Sequence, residues 1–238
     1  MNTQTIAVHE KFYAFQGEGI HMGRSAFFIR TFGCPVHCPW CDSAGTWHKD
    51  YVPPSIDKIE IDALVQEAVS IGPSFVVVTG GEPTVQPNFP ALAKELSAYR
   101  LPVHLETCGA FKFDKSHVDW ITVSPKREKK PLEEHVILCD ELKIIVDHEF
   151  AVGEWFEILD TICKGRHWIA GKTVWLHPEW SQRDNPAILN AISKAVKRST
   201  PKEDIRAGWQ LHKLYKVDAL DAGSKPTVPL GGNPEKGY

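Results

Sequence analysis

Apolar residues along the chain fall into short continuous runs and longer stretches with helical spacing. The run FVVVT at 75–79 is apolar throughout, which is typical of a strand buried on both faces of a parallel sheet. In 62–71 apolar positions recur at helical intervals, and Gly72 follows as a stop signal. Strands are predicted at 6–15, 26–32, 75–79, 103–107, 120–123, 142–146 and 174–176. Helices are predicted at 62–71, 89–99, 151–162 and 186–197.

This alternation of strands and helices predicts about six βα units and a parallel sheet. A complete eight-unit barrel usually needs ~250 residues, and the chain has 238. We therefore expect an α/β fold, a partial (β/α)6 TIM-like barrel. It should be a single domain over 1–238 with a Gly- and Pro-rich tail at about 218–238. Polar motifs follow several strands and should meet at their carboxyl ends, where such folds bind ligands.

The composition narrows the possible partners. Hydrophobic residues make up 42% of the chain and the formal net charge is -3, so there is no broad attraction for nucleic acid or an anionic membrane. No apolar run approaches the ~20 residues of a membrane span. The N-terminus shows no basic segment followed by an apolar stretch. These features favour a cytoplasmic protein that acts on a small molecule, without nucleic-acid or membrane partners.

Three of the six cysteines lie close together, as Cys34-x3-Cys38-x2-Cys41. Three thiolates can hold three irons of a cubane cluster and leave the fourth iron open to a cosubstrate, whereas fully ligated clusters use four thiolates. Zinc is the alternative, with His37 or His48 as a fourth ligand. The other cysteines, Cys108, Cys139 and Cys163, are interpreted as small buried residues.

Two motifs together resemble the radical S-adenosylmethionine (SAM) superfamily. The cysteine spacing carries Trp40 just before Cys41, and Gly80-Gly81-Glu82-Pro83 follows the strand at 75–79. The resemblance implies a 4Fe-4S cluster on Cys34, Cys38 and Cys41. It also implies SAM as cosubstrate, bound through its methionine group to the open iron and cleaved to a 5′-deoxyadenosyl radical.

Further segments narrow the resemblance to one family. They are 15–19 (FQGEG), 30–31 (RT), 41–43 (CDS), 106–109 (ETCG), 124–126 (SPK) and 210–213 (QLHK). In this order they are similar to the 7-carboxy-7-deazaguanine synthase family, over about residues 8–213. The resemblance implies a lyase that converts 6-carboxy-5,6,7,8-tetrahydropterin to 7-carboxy-7-deazaguanine with loss of ammonia, in the queuosine (tRNA) pathway. It further implies Mg2+, an external one-electron reductant of the flavodoxin or ferredoxin type, and a homodimer.

Site residues are predicted from these motifs, and no catalytic side chain is assigned beyond the cluster and SAM. The SAM contacts are Trp40, Cys41, Asp42, Gly81, Glu82, Ser124, Pro125, Lys126, His177, Pro178, Glu179 and Trp180. The substrate contacts are Phe15, Gln16, Gly17, Glu18, Arg30, Thr79 and Tyr238. Ser43 is the candidate Mg2+ ligand, because hard cations prefer oxygen ligands. Arg30 suits a substrate carboxylate through its two-pronged guanidinium.

Several assignments stay open at this stage. His177 stands where the family usually has Gln, so its role is in doubt. Glu106 is either a proton carrier or an orienting residue, and His212 and Lys213 are either structural or functional. Two other functions compete: a glycyl-radical activating enzyme, which would not need Gln16, Glu18 and Arg30 to face the cluster, and a zinc-stabilised binding module.

Overall fold

One sheet organises the chain. The computed structural model describes residues 4–165, 167–217 and 220–225, and within them nine strands form this sheet. The strands are β1 (Thr5–Phe15), β2 (Ser25–Thr31), β3 (Asp57–Glu60), β4 (Phe75–Gly80), β5 (Val103–Thr107), β6 (Trp120–Val123), β7 (Glu141–Val146), β8 (Thr173–Pro178) and β9 (Asp204–Ala207). The helices are α1 (Ile61–Ile71), α2 (Phe89–Ala98), α3 (Glu133–Leu138), α4 (Ala151–Ile162), α5 (Pro186–Arg198) and α6 (Leu211–Tyr215).

The strand order is β3-β1-β2-β4-β5-β6-β7-β8-β9, so each strand from β5 onward lies beside the strand that precedes it in the chain. This one-directional winding places successive crossovers on the same side of the sheet, as in a barrel. From β2 to β9 all neighbours are parallel. The predicted α/β, partial-barrel class is confirmed. The first strand departs from it, because β1 runs antiparallel to both β2 and β3.

The predicted strands and helices all exist, with ends shifted by a few residues at most. Gly72 ends α1 as predicted, in the left-handed conformation with its N–H bonded to the Ala68 carbonyl. The sequence analysis missed the short elements β3, α3, β9 and α6, which have four to six residues each. Segments this short hold too few positions to show a periodicity, so tertiary pairing decides their structure.

Two apolar clusters fill the space between sheet and helices. One surrounds Val78 and Leu92, and the other surrounds Ile144 and Trp155. No helix connects β5 to β6 in the part of the chain that the structure describes, and residues 108–119 form a loop there. Phe113 of this loop packs against both clusters, together with Val118. The loop therefore covers the sheet where a helix would otherwise lie.

The loop between β1 and β2, residues 16–24, covers the amino ends of the parallel strands. The His21 ring lies 4.6 Å from that of His104, near the start of β5, and 4.6 Å from that of Trp120, at the start of β6. Burial lowers the pKa of His104 to about 3, so this ring is neutral at neutral pH. The loop thus closes one end of the barrel with ring contacts, and its Arg24 places a cation over the Phe75 ring.

The C-terminal part of the described chain lies along β1. Asp221 accepts a hydrogen bond from the Tyr13 N–H at 3.1 Å, and the Lys225 N–H donates to Glu10. Most of the predicted tail at 218–238 lies outside the described residues, and so does Tyr238. The single-domain assignment stays a prediction. None of the described helices is long and apolar enough to cross a membrane.

Candidate active site

The predicted motifs meet around one cavity that extends from the cysteine loop into the barrel. The predicted site residues on its wall are Phe15, Gln16, Gly17, Glu18, Arg30, Cys34, Cys38, Trp40, Cys41, Asp42, Ser43, Thr79, Gly81, Glu82, Ser124, Lys126, Pro178, Glu179 and Trp180. Residues from opposite ends of the chain therefore share one space. Because Gln16, Glu18 and Arg30 share it with the cysteines, the arrangement does not favour the glycyl-radical activating alternative.

The three cysteines of the loop are free thiols, and Cys34 and Cys41 pack against a small buried cluster of Val36, Cys38 and Cys108. Burial raises the pKa of all three thiols, that of Cys38 to about 12, so loading iron must displace their protons. Cys41 Sγ accepts hydrogen bonds from the indole N–H of Trp47 and from the Ser43 N–H, both at 3.4 Å. Such donors stabilise a thiolate ligand, and the loop fits an iron–sulfur cluster.

The zinc alternative gains no support from the surrounding side chains. The His37 ring stacks on the Trp47 ring at 4.2 Å, and His48 Nδ1 accepts the Asp50 N–H. Within residues 4–165, 167–217 and 220–225, no three His, Cys, Asp or Glu side chains converge on a point that suits one metal ion. A cubane needs no such point, because each thiolate binds a different iron.

The Gly80–Pro83 turn follows β4 and lies against the cysteine loop. A β-carbon on Gly81 would come within 2.1 Å of the Gly33 carbonyl oxygen, so only glycine permits this approach. Glu82 is 1% exposed. Its carboxylate accepts from Thr107 Oγ1 at 2.6 Å and from the Cys108 N–H at 2.8 Å. It also accepts from the N–H and the hydroxyl of Thr84. Glu82 therefore fixes the shape of the turn.

The third predicted group follows β6 and β8. Lys126 donates to the Ser124 hydroxyl at 2.6 Å and lies 5.3 Å from the centre of the Trp40 ring. Trp180 and Glu179 line the cavity near the same end of the sheet. The predicted contacts therefore surround the cysteine loop on several sides, as binding of an extended cosubstrate requires.

Two of the predicted SAM contacts do not line the cavity. Pro125 is buried and does not line the cavity. His177 is fully buried, and neither ring nitrogen has a hydrogen-bond partner among the described residues. Its Nε2 would lie 2.2 Å from a β-carbon on Gly208, and burial lowers its pKa to about 4. His177 is thus a neutral ring packed against Gly208, behind the cavity wall.

Arg30 lies between β1 and the cysteine loop. Its Nε donates to Glu10 at 2.5 Å, and its Nη1 donates to Ser43 Oγ at 3.1 Å. Beside it, Asp42 forms an ion pair with Lys213 at 3.0 Å. Burial alone would raise the pKa of Asp42, but Lys213 and Arg30 hold it below its usual range. Two cations and one hydroxyl therefore face the cavity where a substrate carboxylate is expected.

The opposite wall consists of buried polar groups from loop 16–24, β5 and β7. Glu106 accepts from the Gln16 amide and from the Thr79 hydroxyl, each at 3.0 Å. Glu18 forms an ion pair with Lys143. The contacts of Glu106 leave both of its predicted roles open, and they place it on the cavity wall.

Several cavity residues were missed by the sequence analysis. Lys143 and Ile145 come from β7, Thr107 ends β5 and Cys108 follows it, and Gln210 was placed in a motif without a role. Cys108 is buried as predicted, but it packs beside the cluster cysteines. Cys139 and Cys163 belong to the core as predicted. An unusual lysine inside the apolar strand at 142–146 was the available signal for Lys143.

The cysteine loop, the glycine turn and the cavity they share define a radical SAM protein. Residues 28–127 match the model of the radical SAM superfamily. A 7-carboxy-7-deazaguanine synthase from Synechocystis is 41% identical over 180 residues, 75% of this chain and 80% of the relative. One from Flavobacterium psychrophilum is 35% identical over 218 residues, 90% of this chain and 93% of the relative.

The fold gives the same result. The crystal structure of QueE from Escherichia coli aligns with a TM-score of 0.70 at 26% identity, covering 87% of this chain and 95% of that one. The chain belongs to the 7-carboxy-7-deazaguanine synthase family. The expected resemblance is confirmed, and with it a radical SAM enzyme that uses a 4Fe-4S cluster and SAM.

Proposed function

We propose that this enzyme converts 6-carboxy-5,6,7,8-tetrahydropterin to 7-carboxy-7-deazaguanine, with loss of ammonia, in 7-deazapurine biosynthesis. One observation carries the proposal: the three thiols share a single cavity with Gln16, Glu18 and Arg30. An amide and a carboxylate suit the donor-rich edge of a pterin. A guanidinium suits its carboxylate. A radical formed at the cysteine loop would therefore arise beside a substrate held at both ends.

When bound, the cluster and SAM supply the electron and the 5′-deoxyadenosyl radical that start the reaction. Cys34, Cys38 and Cys41 hold the cluster, and their loop is fixed against the turn at Gly81. That turn, with Glu82, would receive the methionine amine. Ser124 and Lys126 would contact the ribose and the carboxylate. Trp40, Asp42, Pro178, Glu179 and Trp180 line the same cavity and would complete the SAM site.

The remaining cavity residues bind and orient the pterin. Gln16 and Glu18 take its pyrimidine edge, and Phe15, Gly17 and Thr79 line the surrounding wall. Arg30, already oriented by Glu10, takes the substrate carboxylate. Ser43 Oγ lies next to Arg30 and supplies one oxygen to Mg2+, with the other ligands coming from substrate and water. Burial of these groups keeps water from the reactive intermediate.

The direct test is an anaerobic assay of the reconstituted enzyme with reductant, SAM and the tetrahydropterin. We expect 7-carboxy-7-deazaguanine to accumulate, with SAM regenerated at each turnover. Mass spectrometry identifies the product, and iron and sulfide analysis on the same sample verifies the cluster. A loaded enzyme that cleaves SAM to 5′-deoxyadenosine without making this product would contradict the proposal.

A flavodoxin- or ferredoxin-type protein is the proposed electron donor. Phe111 packs against the buried residues around Cys38, and Lys129 Nζ lies 4.8 Å from the centre of the Phe111 ring. A lysine at this position suits an acidic carrier, because opposite charges steer association. Reduction of the cluster by an acidic flavodoxin should slow as salt rises, and Lys129→Glu should slow it at low salt. Reduction by dithionite serves as the control.

We propose a homodimer in the cytoplasm as the working state. The free thiols suit a reducing compartment. Exposed apolar side chains on α6, Leu214 and Tyr215, offer contact area for a partner. Sedimentation equilibrium gives the mass in solution, and a monomer across the working concentration range would exclude the dimer.

A further inference from the structure

Lys143 is a buried cation on the cavity wall to which none of the proposed roles applies. It lies within β7, whose residues Leu142 and Ile144 belong to the core. Its side chain is 15% exposed, and Nζ contacts Glu18 Oε2. Burying a lysine is costly unless a partner charge compensates. Its position therefore needs an explanation in terms of Glu18.

The Glu18 carboxylate has acceptor capacity to spare. Oε2 contacts Lys143 Nζ, and Oε1 accepts from the Gln210 amide at 2.8 Å. The Glu18 N–H donates to Gln16 Oε1, which fixes the backbone as well. An ionised carboxylate offers about four acceptor positions, so about two remain after these contacts. Glu18 lines the cavity, where a ligand can use them.

Several charged and titratable groups act electrostatically on this pair. Lys143 on β7, His177 on β8 and His212 on α6 act on Glu18, and Glu106 and Asp42 act on Lys143. Burial alone would raise the pKa of Glu18, but the charge and hydrogen bond of Lys143, together with His177 and His212, outweigh burial and leave this pKa below its usual range. Burial would lower the pKa of Lys143, but Glu18, Glu106 and Asp42 together outweigh burial and raise it. Both groups are therefore charged at neutral pH.

We propose that Lys143 is a positioning residue that fixes Glu18 as the recognition carboxylate for a heterocycle edge with two adjacent N–H donors. The inference rests on the proposed function, which places a pterin in this cavity. The 2-amino-4-oxo edge of a pterin presents the ring N3–H and one N–H of the amino group side by side. A carboxylate accepts both, whereas a protonated Glu18 would direct a donor at a donor.

The pair therefore makes the site selective. A 2-oxo analogue replaces the amino donor by a carbonyl oxygen, which a carboxylate repels. A site built to accept hydrogen bonds rejects a ligand that cannot donate them, because buried polar groups are left unpaired. Lys143 sustains this discrimination without touching the reacting atoms. Its loss should therefore change the affinity and selectivity for the ligand more than the rate of the chemical step.

The test is equilibrium binding, measured with the cluster oxidised so that no turnover occurs. The probes are pterin-6-carboxylate, which is fluorescent, and its 2-oxo analogue lumazine-6-carboxylate, in the presence of SAM. We expect the native enzyme to prefer the pterin. Lys143→Met should weaken pterin binding about 10- to 100-fold and narrow the preference. Lys143→Arg should restore most of the pterin affinity and most of the preference for the pterin. Iron content and SAM affinity should stay unchanged in both variants.

The pH dependence separates this role from a merely structural one. Native pterin affinity should stay level from about pH 7.5 to about pH 5.5, because Glu18 remains ionised. In Lys143→Met the buried carboxylate loses its partner, its pKa rises, and affinity should fall with pH across this range. The double variant Glu18→Gln/Lys143→Met removes both charges and guards against misfolding from an unpaired buried charge. It should fold and bind without the native preference.

The outcomes distinguish two failures. If native enzyme with intact cluster and SAM does not bind the pterin, the proposed function fails and the inference falls with it. If native enzyme binds and discriminates, but Lys143→Met or the double variant does so equally well, the inference alone is overturned. A flat pH profile in Lys143→Met would also overturn it.

Discussion

The two ends of the cavity are built in opposite ways. The cysteine end comes from neighbouring residues, because all three thiols lie within 34–41 and the loop packs against one turn through Gly81. The pterin end comes from distant residues: Glu18 meets Lys143 across 125 positions and Gln210 across 192. The first end positions sulfur ligands among apolar side chains, and the second balances buried charges. Local geometry determines where the cluster ligands lie, and tertiary folding determines the substrate site.

The largest expected effect comes from breaking the cysteine end. Cys38→Ala removes one of three cluster ligands, so iron, sulfide and turnover should all be lost. Cys139→Ala is the matched control, because that thiol is equally buried but belongs to the core between sheet and helices. Iron analysis after anaerobic reconstitution is the measurement. If Cys38→Ala enzyme kept the full iron and acid-labile sulfide content, Cys38 would not be a cluster ligand.

Next in size is the contact between the cysteine loop and the glycine turn. Gly81→Ala would press a methyl group onto the Gly33 carbonyl oxygen, and overpacking of this kind costs about 1–3 kcal/mol. The free energy of unfolding should fall by this amount and SAM affinity should fall with it. Gly153→Ala is the control, because a β-carbon there meets nothing. If Gly81→Ala and Gly153→Ala had equal free energies of unfolding, the cysteine loop would be able to shift without cost.

Arg30→Lys tests the pterin end with a smaller change. The lysine keeps the charge but loses the two-pronged fork, and it cannot contact Glu10, Ser43 and a substrate carboxylate in the same geometry. We expect about a 10-fold rise in KM for the tetrahydropterin, with cluster content and SAM binding retained. Steady-state kinetics give the answer. An unchanged KM would contradict the proposed contact between Arg30 and the substrate carboxylate.

The smallest effect concerns the closed end of the barrel. The pKa of His104 is about 3 in the folded protein and about 6.5 in the unfolded chain. The unfolded state therefore binds more protons between these values, and stability is lost as pH falls below about 6.5. His104→Phe should flatten this slope by at most about 1.4 kcal/mol per pH unit. Urea unfolding at several pH values measures it, and exposed His167→Gln is the control.

The same contrast explains what could be predicted from the sequence. The long strands depend on periodicity, and their prediction is confirmed. The cysteine loop and the glycine turn depend on near neighbours in the sequence, and the two motifs lie together as expected. Lys143 could not be assigned, because its partner Glu18 is distant in sequence and only the sheet brings them together. The position of the His177 side chain outside the cavity could not be predicted for a related reason. Its neighbours Pro178 and Glu179 line the cavity, but the alternation along β8 directs the His177 side chain against Gly208.

The helix-free loop at 108–119 has a consequence for engineering. A surface loop between two strands is the usual choice for new chain ends or an inserted reporter domain. Here that choice would fail, because Phe113 and Val118 supply apolar surface to both clusters at once. A chain break between Phe113 and Val118 would therefore disrupt the packing of both apolar clusters. Circular permutants should instead use exposed connections elsewhere, such as the one around Thr200 between α5 and β9.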